Sequence, residues 1–196
     1  MSILLQMLLT ALAAVSTENI LFSGGIGFSR VLRAARKPRT IALYSAFIAF
    51  FSLASILLST VLNPMLQNSP AQLFFRPVIF AVCTAVECLA VSEAIRLIKP
   101  EFIKKYGMTL PYAAINTVVL SMPYAQRTFK YGLPESAAFA VGTGAAFYLA
   151  ATVLTCSVAS YKNEDMPKAF SGLPAVLLYL GILSLAFAGL TGGKLF

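Results

Sequence analysis

Long apolar runs separated by proline, glycine and charged residues divide the chain into six stretches. A transmembrane helix needs about 20 apolar residues. Runs of that length extend from about Ile41 to Leu62, from about Val78 to Ile98 and from about Ser136 to Ser160, and another follows Pro174 as far as about Leu190. Because these runs are continuous, they lack the alternation of β-barrel strands. The pattern predicts membrane-spanning helices.

The first and fourth stretches are short or broken, with polar residues near their middle. The first begins at Met1, meets the polar segment Ser16–Asn19 and ends in glycines up to Gly27. The fourth starts near Leu110-Pro111 and ends by Met122-Pro123, with Asn116 between them. Discontinuous helices at matching places in two halves indicate a site near the membrane midplane. Short spans that tilt little, or that lie at a protein interface, explain the pattern equally well.

Six spans form two sets of three, and an odd number of spans per half gives the two halves opposite orientations. We therefore predict an all-α integral membrane protein with six transmembrane helices arranged as two inverted three-helix repeats. Residues 1–196 form one six-helix membrane domain in this interpretation. Its half-repeats cover about residues 1–99 and 108–196.

Composition supports a membrane protein, since 59% of the residues are hydrophobic and 11% are charged. Soluble domains have about 45–50% apolar and about 25% charged residues. A soluble globular enzyme, a disordered chain and a disulfide scaffold are thereby excluded.

The net charge of +8 is explained by membrane orientation. The loops after spans one, three and five carry eleven Lys and Arg residues, and the opposite side carries four. Because the positive loops lie on the cytoplasmic side, both termini are predicted outside, and no nucleic-acid partner is needed to explain the basicity. Contact with lipid headgroups is compatible with the same topology. The four residues on the outer side are Arg76, Arg127, Lys130 and Lys194.

Three carboxylates fall within spans, where ionisable groups are candidates for function. Glu18 lies beside Asn19 in the break of span one, and Glu87 lies near the middle of span three. Glu93 lies near the end of span three, one turn before Arg96, so a simple surface ion pair is the alternative there. With Asn19 and Asn116, these acids form a hypothetical polar or ion path.

The chain offers little for a metal site, since it has no histidine and its cysteines are Cys83, Cys88 and Cys156. Cys83 and Cys88 are five residues apart and face different sides of a helix, and Cys156 belongs to another span. We interpret them as small hydrophobic residues and predict no metal site.

Motifs spread along the chain resemble the RnfA/NqrE membrane subunits of the Rnf/Nqr electron-transport family. The segment 166–172, MPKAFSG, and the segment 184–189, SLAFAG, resemble the end of those subunits. Ser92-Glu93 with Arg96 and Pro100, Leu110-Pro111, and residues 140–147 also match in order and spacing.

The resemblance implies a subunit of a respiratory complex in a prokaryotic inner membrane, paired with a homologous RnfE/NqrD-like subunit. Such complexes couple electron flow from ferredoxin or NADH to sodium or proton transport. The pair holds an intramembrane [2Fe–2S] cluster, and each subunit supplies two cysteines. In this chain Ser29 and Thr117 occupy those cysteine positions. Because clusters need thiolate ligands, we expect this chain alone to bind no cofactor.

Three functions follow from the sequence. The first is a subunit, itself non-catalytic, of an Rnf/Nqr-type ion-translocating electron-transport complex that lacks the cluster of its relatives. The second is a small inverted-repeat transporter of ions or solutes, and the third is a structural membrane partner. The resemblance favours the first because it runs the length of the chain.

Overall fold

A computed structural model describes residues 2–22, 25–35, 38–66, 72–160, 167 and 172–190. Within these ranges the chain is helical and contains no strand. A 3₁₀ turn at Pro38–Thr40 leads into the third helix. The α-helices are α1 (Ile3–Val15), α2 (Phe28–Ala35), α3 (Ile41–Leu66), α4 (Gln72–Ile98), α5 (Pro100–Tyr106), α6 (Thr109–Ala114), α7 (Thr117–Phe129), α8 (Leu133–Ser160) and α9 (Leu173–Leu190).

Within the described residues, three segments are long and apolar enough to cross a membrane as single helices: Pro38–Met65, Phe75–Ile98 and Leu133–Cys156. They correspond to predicted spans two, three and five. Two further apolar helices, Ile3–Val15 and Leu173–Gly189, are shorter. The prediction of an all-helical membrane protein is confirmed, and its first and fourth apolar stretches are each interrupted. Lys194 and most of the segment 166–172 lie outside the described residues.

Several predicted helix ends are wrong because proline does not stop these helices. Pro64 lies inside α3 and Pro123 lies inside α7, where the sequence predicted ends. A proline removes one backbone N–H donor, but neighbouring helices make that loss tolerable in a membrane protein. The longer helices also include Arg76 and Arg127, which had been assigned to loops.

Helix α5 was not predicted as a separate element. It begins at Pro100 directly after α4 ends, with proline at the first helical position, where its missing N–H costs nothing. The Phe102 ring lies 6.3 Å from the Phe47 ring on α3. Lys104 and Lys105 are exposed. The short helix is therefore amphipathic and packs its apolar side onto the end of the bundle where α3 begins.

Helix α8 contacts α1 and α3 closely because it carries two glycines two residues apart. A Cβ added at Gly142 would lie 2.6 Å from the carbonyl oxygen of Ala11 on α1. A Cβ added at Gly144 would lie 2.5 Å from Cβ of Ala49 on α3. Small residues let helix backbones approach closely in membranes. The glycine pair therefore lets α8 pack between two neighbours.

Two contacts show that α3 runs alongside α6 and α7 in the same direction. The Tyr44 hydroxyl donates a 2.6 Å hydrogen bond to the carbonyl oxygen of Tyr112 on α6. Further along α3, Ser59 hydrogen-bonds to Gln126 on α7. The two contacts are about 22 Å apart along α3 at 1.5 Å per residue. The interrupted segment α6–α7 therefore continues in one direction across most of the bundle.

The glycine contact predicts unequal effects for two alanine substitutions. Gly144→Ala places a methyl group inside the α3 backbone contact and should destabilise the fold by about 1–3 kcal/mol, the usual cost of overpacking. Gly181→Ala is the matched control, because a Cβ there meets nothing within 4 Å. Thermal unfolding of the purified chain in detergent should show a lower midpoint for Gly144→Ala alone. An equal drop for both variants would contradict the packing role of Gly144.

Candidate functional site

The break between α1 and α2 is organised by the carboxamide of Asn19, which is 1% exposed. Its Nδ2 donates to the carbonyl oxygen of Val15, the last residue of α1, at 2.8 Å. Its Oδ1 accepts from the backbone N–H groups of Leu21 at 3.1 Å and Phe22 at 3.3 Å. The end of a helix leaves carbonyls without intrahelical partners. Asn19 therefore satisfies backbone groups on both sides of the break.

The break between α6 and α7 has an asparagine in the same role. Asn116 is fully buried and precedes the first residue of α7. Its Oδ1 accepts from the Val118 N–H at 3.3 Å, which caps the helix. Its Nδ2 is buried and has no hydrogen-bond partner among the described residues. Both asparagines therefore accept a hydrogen bond from the backbone N–H two residues ahead, and among the described residues the Nδ2 group of Asn116 has no acceptor.

The two breaks meet at Gly27, a residue that the sequence did not mark as functional. Its φ of +86° is in the region that favours glycine. A Cβ at this position would overlap Cγ2 of Val118 and would lie 3.3 Å from Oδ1 of Asn116. The segment leading into α2 therefore passes directly against the beginning of α7. Two half-helices thus begin at one place, where their dipoles present positive ends.

Helix α9 contacts the first break, the one between α1 and α2. The Ser184 hydroxyl donates to the carbonyl oxygen of Phe22 at 2.5 Å. The Phe187 ring stacks on the Phe22 ring, with centroids 4.4 Å apart and an interplanar angle of 17°. Ser184 and Phe187 belong to the segment that suggested the family resemblance. Their contacts give that motif a structural role that the sequence did not reveal.

Ser29 and Thr117 flank the contact between the breaks. Ser29 is the second residue of α2, and Thr117 is the first residue of α7, immediately after Asn116. Both side chains are exposed on the surface of this chain. Both hydroxyls are therefore accessible to a further molecule.

Glu18 lies next to Asn19 in the first break. Its carboxylate accepts a hydrogen bond from the Tyr131 hydroxyl in the turn between α7 and α8. Burial, together with the hydrogen bond and charge of Glu18, raises the pKa of Tyr131. The Tyr131 ring also stacks on Phe129, with centroids 5.5 Å apart. Tyr131 was missed because only the folded chain brings it to Glu18.

Glu87 and Glu93 both lie on α4, a helix that also contacts α6 and α7. Glu93 forms a 3.5 Å ion pair with Arg96, and the two side chains are 65% and 68% exposed. This geometry matches the alternative interpretation of Glu93 as part of a simple surface ion pair. Exposed ion pairs of this kind contribute little to stability. Glu87 is half-buried, and its Oε2 has no partner among the described residues.

The donor groups at the two breaks do not suit an iron–sulfur cluster. Ser29 and Thr117 offer hydroxyls, whereas clusters are held by thiolates or, in a few cases, imidazoles. Cys83 and Cys88 lie on α4 and Cys156 lies on α8, so no cysteine lies in the four helices that border the breaks.

Comparison with known proteins identifies relatives along almost the whole chain. A protein-family model described as "Rnf-Nqr subunit, membrane protein" matches residues 7–193. The matched range includes both breaks, Gly27 and the segment of α9 that contacts Phe22.

Individual relatives agree with the family match. One subunit of the ion-translocating oxidoreductase complex of Syntrophotalea carbinolica is 24% identical over 95% of this chain and 97% of that protein. One subunit of the Na(+)-translocating ferredoxin:NAD(+) oxidoreductase complex of Acetobacterium woodii is 24% identical over 94% of this chain and 96% of that protein. A counterpart from the proton-translocating complex of Clostridium ljungdahlii is 26% identical over 61% of this chain and 62% of that protein.

The hydrogen bonds at the breaks predict unequal costs for two substitutions. Asn19→Ala loses three bonds, each worth about 1 kcal/mol net, and should lower the free energy of unfolding by about 3 kcal/mol. Asn116→Ala loses one helix cap, worth about 1 kcal/mol. Unfolding of the purified chain in mixed detergent micelles measures both values. Asn63→Ala, within α3, is the control for loss of an asparagine elsewhere. A larger loss for Asn116→Ala would contradict this assignment.

Proposed function

Because the chain belongs to the Rnf-Nqr family of membrane subunits, we propose that it is a membrane subunit of an ion-translocating electron-transport complex of the Rnf/Nqr type. The observation that carries this proposal is the family match across residues 7–193. Relatives named as subunits of ion-translocating complexes, which align over nearly their full length, support it. The chain supplies scaffold and partner contacts and is not itself the catalytic unit.

The proposed architecture has six spans in one membrane domain, arranged as inverted repeats of about residues 1–99 and 108–196. Three features support it. Each half has an interrupted segment, and at each interruption the Oδ1 of an asparagine, Asn19 or Asn116, accepts from the backbone N–H two residues ahead. The parallel course of α3 and α6–α7 also agrees with spans two and four crossing in the same direction.

We place the protein in a prokaryotic inner membrane with both termini outside. The count of positive residues by loop supports this orientation. Basic segments of two different loops also lie at one end of the bundle. Arg30 and Arg33 lie over Tyr112 near the start of α6, and α5, with Lys104 and Lys105, contacts Phe47 near the start of α3.

The proposed partner is a homologous RnfE/NqrD-like membrane subunit, with further subunits of the complex. Ser29 and Thr117 support it, because both flank the meeting point of the breaks and both are exposed. A second chain that covers this surface would bury them. Since these positions carry hydroxyls, we propose that this chain provides no ligands for a [2Fe–2S] cluster.

A polar path for ions is favoured by buried polar atoms inside the helix bundle. Unpaired polar groups in an apolar interior are costly and are candidates for transport. This path would serve the complex or, in the second candidate function, a small transporter that works alone. The buried side-chain atoms without partners among the described residues are Ser52 Oγ, Ser55 Oγ, Arg76 Nε, Glu87 Oε2 and Asn116 Nδ2.

Isolation of the complex through a tag on this chain tests the main proposal. Flavin-bearing subunits that oxidise NADH or ferredoxin should copurify with the chain. Replacing Cys83, Cys88 and Cys156 by alanine should leave the iron content and the paramagnetic resonance spectrum of the complex unchanged, because these residues hold no cluster. A reducible [2Fe–2S] signal lost in that triple variant would contradict the absence of cluster ligands. Solute uptake by the chain reconstituted alone would favour the transporter.

The polar path predicts that Glu87 matters for ion transport. Glu87→Gln removes the carboxylate at similar volume and should reduce electron-driven ion uptake by vesicles about tenfold, because intramembrane carboxylates mark ion pathways, while assembly stays normal. Glu93→Gln is the matched control on the same helix, because Glu93 forms an exposed surface pair. Transport that is unchanged in Glu87→Gln would remove Glu87 from the path.

A further inference from the structure

A cavity of about 500 Å³ opens at the end of the bundle where α3 and α6 begin. Arg30 and Arg33 of α2 form one wall, and Thr40, Tyr44 and Tyr112 form the other. The other side of α2 is buried through Val31 and Ala35, so packing of that face fixes the two arginines toward the cavity, which Ala34 also lines. The cavity is thus a built feature of the fold and lies outside the contact of the two breaks.

Two positive charges meet in this cavity. The guanidinium carbons of Arg30 and Arg33 lie 5.1 Å and 4.7 Å from the centroid of one ring, that of Tyr112. Cation–π contact attracts each cation to the ring, but the two cations repel each other at such short separation. Within the described ranges, neither arginine forms an ion pair with a carboxylate. The two guanidinium groups therefore favour the binding of an anion between them.

The surroundings match a membrane surface. Met108, 70% exposed, lines the same cavity and offers an apolar rim beside the charges. The amphipathic helix α5 lies at this end of the bundle and ends two residues before Met108, with Lys104 and Lys105 exposed. The N-terminal end of α3, next to Thr40, adds the positive end of a helix dipole. Apolar and cationic groups side by side suit a phospholipid, whose phosphate is anionic and whose chains are apolar.

We propose that this cavity binds the phosphodiester headgroup of an anionic phospholipid. Arg30 and Arg33 pair with the phosphate, Tyr112 holds both guanidinium groups in place, and Met108 contacts the acyl region. Basic pockets between membrane helices bind such headgroups in general. The proposal is independent of the redox role of the complex, since it depends only on the chain being embedded in a bilayer.

Lipid binding to the purified chain tests the proposal. The chain is delipidated in neutral detergent and titrated with phosphatidylglycerol or phosphatidylcholine, and bound lipid is counted by native mass spectrometry. The double variant R30Q/R33Q should bind phosphatidylglycerol about 30-fold more weakly, because each cation near an anionic lipid contributes roughly 1 kcal/mol and about 1.4 kcal/mol is tenfold. Binding of phosphatidylcholine should not change.

Two variants separate the cavity from general surface charge and from misfolding. K104Q/K105Q removes the same charge at the same end of the bundle, but these lysines do not line the cavity, so the variant should weaken phosphatidylglycerol binding much less than R30Q/R33Q does. Met108→Glu adds a negative charge at an exposed position and should also weaken binding, as R30Q/R33Q does. Because Met108 lies outside α2, this variant tests the cavity without changing that helix.

Three outcomes would overturn the proposal. The first is equal weakening by R30Q/R33Q and K104Q/K105Q, which indicates diffuse charge attraction. The second is displacement of phosphatidylglycerol by equimolar inorganic phosphate, which identifies a free-anion site. The third is unchanged phosphatidylglycerol binding by R30Q/R33Q.

Discussion

Backbone polar groups that lack water must find partners inside the protein, and this constraint shapes the centre of the molecule. Helices satisfy their own backbone, so every interruption exposes N–H and carbonyl groups that cost several kcal/mol in an apolar medium. Asn19 and Asn116 meet that demand at the two breaks, each through its own side chain. The close approach at Gly27 then joins the breaks into one structure. The exposed hydroxyls of Ser29 and Thr117 follow from where the half-helices begin.

Packing around the breaks is held by small residues and by a few long-range contacts. Gly142 and Gly144 let α8 contact α1 and α3, and Ser184 with Phe187 fixes the first break from α9. Among the described residues, none of these contacts involves Ser29 or Thr117. The packing around the breaks and the exposed hydroxyls therefore depend on different residues.

Charge is divided between two regions with different surroundings. The basic cavity lies at the end of the bundle where α3 and α6 begin. Glu87 lies on α4 with a buried oxygen that has no partner among the described residues, and Glu93 on the same helix pairs with Arg96 at the surface. Two carboxylates six residues apart thus have different environments, and Glu93 adopts the surface pair that the sequence offered as an alternative for it alone.

Local signals in the sequence were enough to predict the all-helical membrane character, three long spans and the positions of both breaks, because apolar length and isolated asparagines can be recognised without a fold. They missed α5 and placed helix ends too early at Pro64 and Pro123, since neighbouring helices determine whether a proline ends a helix. The contacts of Gly27 with Val118, of Tyr131 with Glu18 and of two arginines with the Tyr112 ring emerged only in the folded chain. These contacts join residues far apart in sequence, and packing geometry, which no local pattern encodes, selects them.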